Sequence, residues 1–176
     1  MTRAVAVFRP DDDRIATAVE TLESLGVEAV PDPMLAVEPT GAVPRTDADY
    51  VVLTSTTGVD LAADADWTPG EATLVAIGPK TADAARDVGF EVDVVPDEFT
   101  SQGLVDALAD AVDGARVEVA RSDHGSQVLL DGLARAGAYV HETVLYRLVR
   151  PDGAGVSVDR ALDGDLDAVL FTSSLI

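Results

Sequence analysis

The chain contains no cysteine, which removes disulfides, thiolate metal sites and a cysteine nucleophile at once. Lysine is nearly as scarce: Lys80 stands alone beside eleven arginines. Against this small basic complement stand 32 acidic residues, aspartate outnumbering glutamate more than two to one, for a net charge of -20. Such a surface repels phosphate backbones and anionic lipid, so neither nucleic acid nor a membrane is expected as a partner. An aspartate-rich, lysine-poor surface suits concentrated salt, where the screening length falls to a few ångströms and self-repulsion fades, and a halophilic source is expected. No apolar run approaches a membrane span. The first residues, Met1-Thr2-Arg3-Ala4-Val5, lack the apolar core and cleavage site of a signal peptide, so a soluble cytoplasmic protein is the expectation.

What is present is a core. Apolar residues make up 47% of 176 residues, and the acidic residues are interleaved with them rather than blocked together. Ala4 to Phe8 reads as a strand, followed by an Asp11-Asp12-Asp13 cap and a helix with Ile15, Val19, Leu22 and Leu25 on one face, closed by Gly26. Val27 to Val30 is the next strand. Pro31, Pro33, Pro39 and Pro44 then interrupt the pattern, leaving Met34 to Val37 as a short extended piece. From Tyr50 to Leu53 strands and helices alternate again: a helix from near Thr57, strand Thr73 to Ile77, a helix from Thr81 to Val88, and strand Val92 to Val95. A helix with Leu104, Val105, Leu108 and Val112 follows, then strand Ala115 to Ala120 and a helix with Leu129, Leu130 and Leu133 ending at Gly137. This spacing predicts parallel sheets covered by helices on both faces.

Ala138 to Val149 is longer than a small sheet requires. Val140, Val144, Tyr146 and Leu148 fall on one face, with Glu142 the single break in it. The expectation is a strand that leaves one domain for the other, paired with the outbound Met34 to Val37. The predicted fold class is α/β, two doubly wound parallel-sheet domains of flavodoxin-like or Rossmann-like type joined by a two-stranded ladder. Residues 1–33 and 150–176 form the outer domain, 34–38 and 140–149 the linking strands, and 39–139 the inserted domain. An internal repeat supports two similar halves: Asp49 to Ser55 (Asp-Tyr-Val-Val-Leu-Thr-Ser) returns at Asp167 to Ser173 as Asp-Ala-Val-Leu-Phe-Thr-Ser.

Four turns rich in glycine or hydroxyl side chains follow these strands: Thr54 to Gly58, Gly78-Pro79-Lys80-Thr81, Phe99 to Gly103, and Arg121 to Ser126. Free amides at a helix start, with glycine allowing close approach, bind anions without a basic side chain. One such turn reads most simply as a strand-to-helix turn with Thr81 as its cap; four at one sheet edge point to a ligand cleft. The surroundings of Lys80 do not fit a phosphate-binding loop. His124 and His141 have no metal-ligand spacing around them, so no metal is expected. A phosphorelay receiver is excluded because the strand before Thr54 ends without an aspartate. Tyr146 lies where a cleft between domains would open, and its phenol can donate a proton there.

Taken in order, Arg9-Pro10, Val52-Leu53-Thr54-Ser55, Ala76 to Ala82, Val95-Pro96 through Gly103-Leu104, Leu145-Tyr146-Arg147 and Phe171-Thr172-Ser173-Ser174 resemble the uroporphyrinogen-III synthase family along essentially the whole chain. The resemblance implies cofactor-independent cyclodehydration of hydroxymethylbilane, a linear tetrapyrrole polycarboxylate, with inversion of its final ring. It implies Tyr146 as proton donor to the departing hydroxyl and Thr81 in the cleft. Arg9, Thr54, Ser55, Gly58, Gly78, Pro79, Lys80, Ser101, Ser122, Thr172, Ser173 and Ser174 would line the carboxylate-binding edge. The family continues past Phe-Thr-Ser-Ser with a further helix and a second strand-and-turn unit. The 176-residue chain is therefore expected to be inactive or nearly so and to dimerise over its uncovered apolar surface, a longer form being monomeric. The competing reading is a non-catalytic two-domain module that binds a small anion or regulates.

Overall fold

The computed structural model describes residues 3–9 and 13–171. Among these the chain forms parallel sheets and six helices: β1 (Ala4–Phe8), α1 (Asp13–Ser24), β2 (Glu28–Pro31), β3 (Ala36–Pro39), β4 (Tyr50–Leu53), α2 (Thr56–Asp64), β5 (Thr73–Ala76), α3 (Pro79–Asp87), α4 (Ser101–Leu108), β6 (Arg116–Ser122), α5 (Gln127–Arg135), β7 (Tyr139–Val149), α6 (Val156–Leu162) and β8 (Ala168–Phe171). Two compact units result, 1–38 with 148–176 and 39–147.

In the first unit β1 lies between β2 and β8, parallel to both. The chain leaves α1 through Gly26, whose φ of 74° is the left-handed conformation that glycine adopts without Cβ strain. Leu25, expected on the apolar face of that helix, is instead 72% exposed, because it falls in the closing turn after the helical period has ended. Asp32, just past β2, is fully buried. Its carboxylate accepts hydrogen bonds from the Gly155 amide at 2.7 Å and the Ser157 amide at 2.9 Å, and from the Ser157 hydroxyl at 2.5 Å. One acidic side chain thus caps the start of α6 from a strand 123 residues earlier in the chain. Asp11, Asp12 and the residues from Thr172 to Ile176 lie outside the described residues.

The second unit is built on a five-stranded sheet in the order β3-β7-β6-β4-β5. The β4–β5, β4–β6 and β6–β7 pairs are parallel, as helical crossovers require. Val52, Val75, Val117 and Val119 form a core with Leu104, Leu108, Leu129 and Leu133 of α4 and α5. By alternation Val51, Leu53, Leu74 and Ala76 turn to the other face, under α2 and α3, so the strands read as continuous apolar runs.

Three expectations need correction here. Val92 to Val95 makes a single bridge, Val75 to Val94, rather than a strand, since Pro96 removes the next amide donor. Helix α3 begins at Pro79 with Gly78 as its cap, and Thr81 lies inside the first turn. The single face proposed for Val140, Val144, Tyr146 and Leu148 is broken: β7 pairs in register up to Arg121 with Val144, then skips Leu145 so that Ser122 pairs with Tyr146. The extra residue reverses the alternation and buries Leu145 and Tyr146 together.

Burial by itself would raise the Asp32 carboxyl, but the hydrogen bonds from Gly155 and Ser157, with the nearby Arg150 charge, hold it below its usual 3.8. A carboxylate depressed in the folded state stabilises above its unfolded pKa and ceases to do so as pH falls through the folded one. Asp32→Asn is therefore expected to cost about 2 to 3 kcal/mol at pH 7. Urea denaturation of both proteins should show that difference narrowing steadily between pH 4 and pH 2.

Candidate functional site

The carboxyl ends of β4, β5, β6 and β7 bring most of the sequence-predicted residues of the second unit to one edge. β4 ends at Leu53, and Thr54 and Ser55, both half-buried, lead into α2. Ser55 has extended backbone (φ -156°, ψ 154°), and its Oγ accepts the Gly58 amide at 3.0 Å, the pattern of an N-cap. The Tyr146 hydroxyl donates to the same oxygen, also at 3.0 Å. Both lone pairs of Ser55 Oγ are then occupied, leaving its own proton to be donated outward. Gly58 makes this approach possible: a Cβ there would lie 3.1 Å from Ser55 Oγ and 3.4 Å from the Leu145 side chain.

After β5 the solution differs. Gly78 caps α3 with extended backbone and no side-chain bond, so the first-turn amides of α3 receive no side-chain acceptor. Pro79 and Lys80 are exposed and Thr81 is buried. The Phe99 side chain, 58% exposed, covers Gly78 closely enough that a Cβ there would meet its Cβ and Cγ at 3.2 Å. Helix α4 is capped by Thr100, whose hydroxyl accepts the Gly103 amide at 3.0 Å; Ser101 is its first residue. A Cβ on Gly103 would fall 1.9 Å from the Glu98 carbonyl oxygen, so that turn admits glycine alone. Ser122 closes β6 opposite Tyr146, and the Asp123 amide donates to the Tyr146 carbonyl at 3.2 Å.

Sequence reasoning missed Arg121. Its guanidinium is 2% exposed, donates to Glu142 Oε1 at 2.6 Å and to the Ser126 carbonyl at 2.5 Å, and fills the space a side chain at Gly125 would need. A basic residue ending an apolar strand before a glycine turn was the available signal. It also missed the caps Thr100 and Ser126, each one residue away from the hydroxyls it singled out or within the same turn.

Other predicted residues lie elsewhere. Arg9 belongs to the first unit, lining a hollow of about 250 Å³ with Thr21, Leu22 and Leu170. Thr172, Ser173 and Ser174 are outside the described residues. Two hollows of the second unit, about 470 and 480 Å³, open at the opposite, amino-terminal ends of the strands and contain none of the predicted residues. There the Arg45 and Arg116 guanidinium groups, hydrogen-bonded to Asp47 and Asp49, hold those carboxyls below the usual range, in exposed pairs that add little stability. Glu118 is fully buried beneath them, 2.6 Å from His141 Nδ1 through one oxygen and unpartnered at the other. Among the described residues no three His, Cys, Asp or Glu side chains are placed to hold a metal ion. None of the described helices is long and apolar enough to cross a membrane.

The family model described as Uroporphyrinogen-III synthase HemD matches residues 16–175. The chain belongs to the uroporphyrinogen-III synthase family. It is 36% identical over 187 aligned residues to a candidate uroporphyrinogen-III synthase of Methanothermobacter thermautotrophicus, covering 97% of this chain and 74% of that one. The fold matches a mutant uroporphyrinogen III synthase from Thermus thermophilus with a TM-score of 0.67 at 20% identity, over 96% of this chain and 71% of that structure. A uroporphyrinogen-III synthetase from Helicobacter pylori matches at 0.55 and 14% identity, over 92% and 68%. Family membership sets aside the reading as a non-catalytic anion-binding module.

Because Ser55 serves both α2 and Tyr146, Ser55→Ala is expected to cost about 1 kcal/mol for the cap and roughly 1 kcal/mol more for the stranded phenol. Removing both partners is cheaper than removing one, so Ser55→Ala/Tyr146→Phe should be more stable than Ser55→Ala. Equilibrium urea unfolding of the three variants tests this directly.

Proposed function

We propose that the protein closes linear hydroxymethylbilane to uroporphyrinogen III, as its family implies, acting as a hydro-lyase. The substrate loses its terminal hydroxyl as water once that oxygen is protonated, and the departure leaves a cationic azafulvene. Attack by the final pyrrole ring at its substituted carbon gives a spirocyclic intermediate, whose reopening and closure invert that ring. Electrons are conserved within the substrate throughout, so the chemistry requires neither an oxidant nor a reductant, and no cofactor is proposed.

The demands on the protein are then protonation of the leaving oxygen, stabilisation of a spread positive charge, and a grip on several acetate and propionate carboxylates. Tyr146 supplies the proton through Ser55, whose own hydroxyl proton passes to the leaving oxygen as Ser55 takes that of the phenol. Thr54, Gly78, Pro79, Lys80, Thr81, Ser101 and Ser122 form the edge that receives carboxylates, where the uncapped amides of α3 are the strongest candidates. A grip built from amides explains how a chain with one lysine can hold a polyacid. For Arg9, Thr172, Ser173 and Ser174 the proposed role is the carboxylate contact that the family resemblance implies. The acidic surface is a cost to long-range attraction of this polyanion, one that salt screening reduces. The observation that carries the reading is the Tyr146–Ser55 hydrogen bond at the carboxyl edge of a sheet belonging to this family.

A coupled assay on a longer form of the chain, separating enzymatic type III isomer from the type I product of spontaneous closure, provides the test. Tyr146→Phe is expected to lower the rate of type III formation by about a hundredfold, the low end of the range for loss of a general acid. An unchanged rate would remove the proton-donor role from Tyr146.

A further inference from the structure

Arg121 has the largest side chain among the fully buried ones, yet it carries a permanent charge. At 2% exposure it cannot serve as a surface site for the substrate's carboxylates, and Glu142 already neutralises it. Burying this charge costs desolvation, which the bond to a one-third exposed Glu142 offsets in part, and the pair has a further role. Its geometry shows what that is. Glu142 stands opposite Val119, two residues before Arg121 on the neighbouring strand, so the ion pair runs diagonally across β6 and β7. Immediately after it the register slips, Leu145 is passed over, and Ser122 pairs with Tyr146. The other end of the guanidinium holds the Ser126 carbonyl, closing the turn from 122 to 126, and Gly125 lies against its stem. That same turn supplies the Asp123 amide to the Tyr146 carbonyl.

We infer that Arg121 and Glu142 are positioning residues, an ionic clamp that fixes the slipped register of β6 and β7 and so holds the Tyr146 hydroxyl on Ser55. The inference rests on the reading of this edge as the substrate site. A planar guanidinium with two acceptors in fixed directions suits the task better than a flexible ammonium, because it sets an angle as well as a distance. The pair has no contact with the reacting atoms; it acts through the backbone of Tyr146 and of the turn.

The test uses Glu142→Gln, Arg121→Lys and Arg121→Met, with kcat and KM for hydroxymethylbilane referred to folded protein, and amide hydrogen exchange read at Asp123 and at Ile77. Ile77 donates to Leu53 on the far side of the sheet and serves as the reference. Displacing catalytic groups by a fraction of an ångström is expected to lower kcat/KM about threefold in Glu142→Gln and about thirtyfold in Arg121→Met, with Arg121→Lys in between. Exchange at Asp123 should quicken in the same order while Ile77 stays unchanged. Should Arg121→Met fail to fold, Glu142→Gln decides by itself. Normal kinetics per folded molecule, or equal acceleration at Asp123 and Ile77, would reduce the pair to general stabilisation and overturn the inference. The underlying reading has its own control: Tyr146→Phe with wild-type kinetics would remove the site, and Asp123 exchange would then decide whether the clamp sets the register.

Discussion

A parallel strand reaches its neighbour only through a crossover, and each crossover deposits at the carboxyl end of the sheet a helix start whose first amides have no partner within the helix. In the second unit this requirement is met in two ways. Ser55, Thr100 and Ser126 turn their own hydroxyls back onto the amides of α2, α4 and α5. Gly78 has no side chain to offer and Pro79 no N–H to satisfy, so the Lys80 and Thr81 amides of α3 are left without a side-chain cap. The proposed grip on an anionic substrate draws on those two amides, since each side-chain cap takes up one donor, that of Gly58, Gly103 or Val128, which an anion would seek.

Two buried ionisable groups show how differently the fold treats polarity at its two sheet ends. At the carboxyl end Arg121 is paired and hydrogen-bonded, and the register of the adjoining strands follows from it. At the amino end Glu118 keeps one oxygen without a partner, beside a half-exposed His141. The satisfied group sits near the proposed chemistry. In the first unit Asp32 plays a third part, joining two segments distant in sequence by capping α6.

Much of the architecture could be read from the residues because it rests on local signals. Apolar runs bounded by Gly26, Gly89 and Gly137 marked the strands and helices, and the ordered set of short motifs pointed to the family. What escaped were effects that depend on a partner far along the chain. The slip at Leu145 is set by an ion pair between Arg121 and Glu142, and alternation along one strand cannot reveal it. Asp32 sits among prolines in a stretch that reads as a linker, and only the return of Gly155 and Ser157 explains it. The helix start read at Thr81 failed for a local reason: proline at the first helical position needs no amide, which moves the cap back to Gly78. The hydroxyl-bearing turns were legible, whereas the direction of each hydroxyl was not.

Lys80 occupies the second position of α3, exposed, beside the open amides of that helix. Since it is the sole lysine, it is also the only side-chain amine. With the α-amine of the chain blocked, an amine-selective fluorophore attached there would sit at the rim of the sheet where the turns converge, without any engineered cysteine. Its emission would then report whatever arrives at that rim, which makes the chain's poverty in lysine a built-in address for a spectroscopic label.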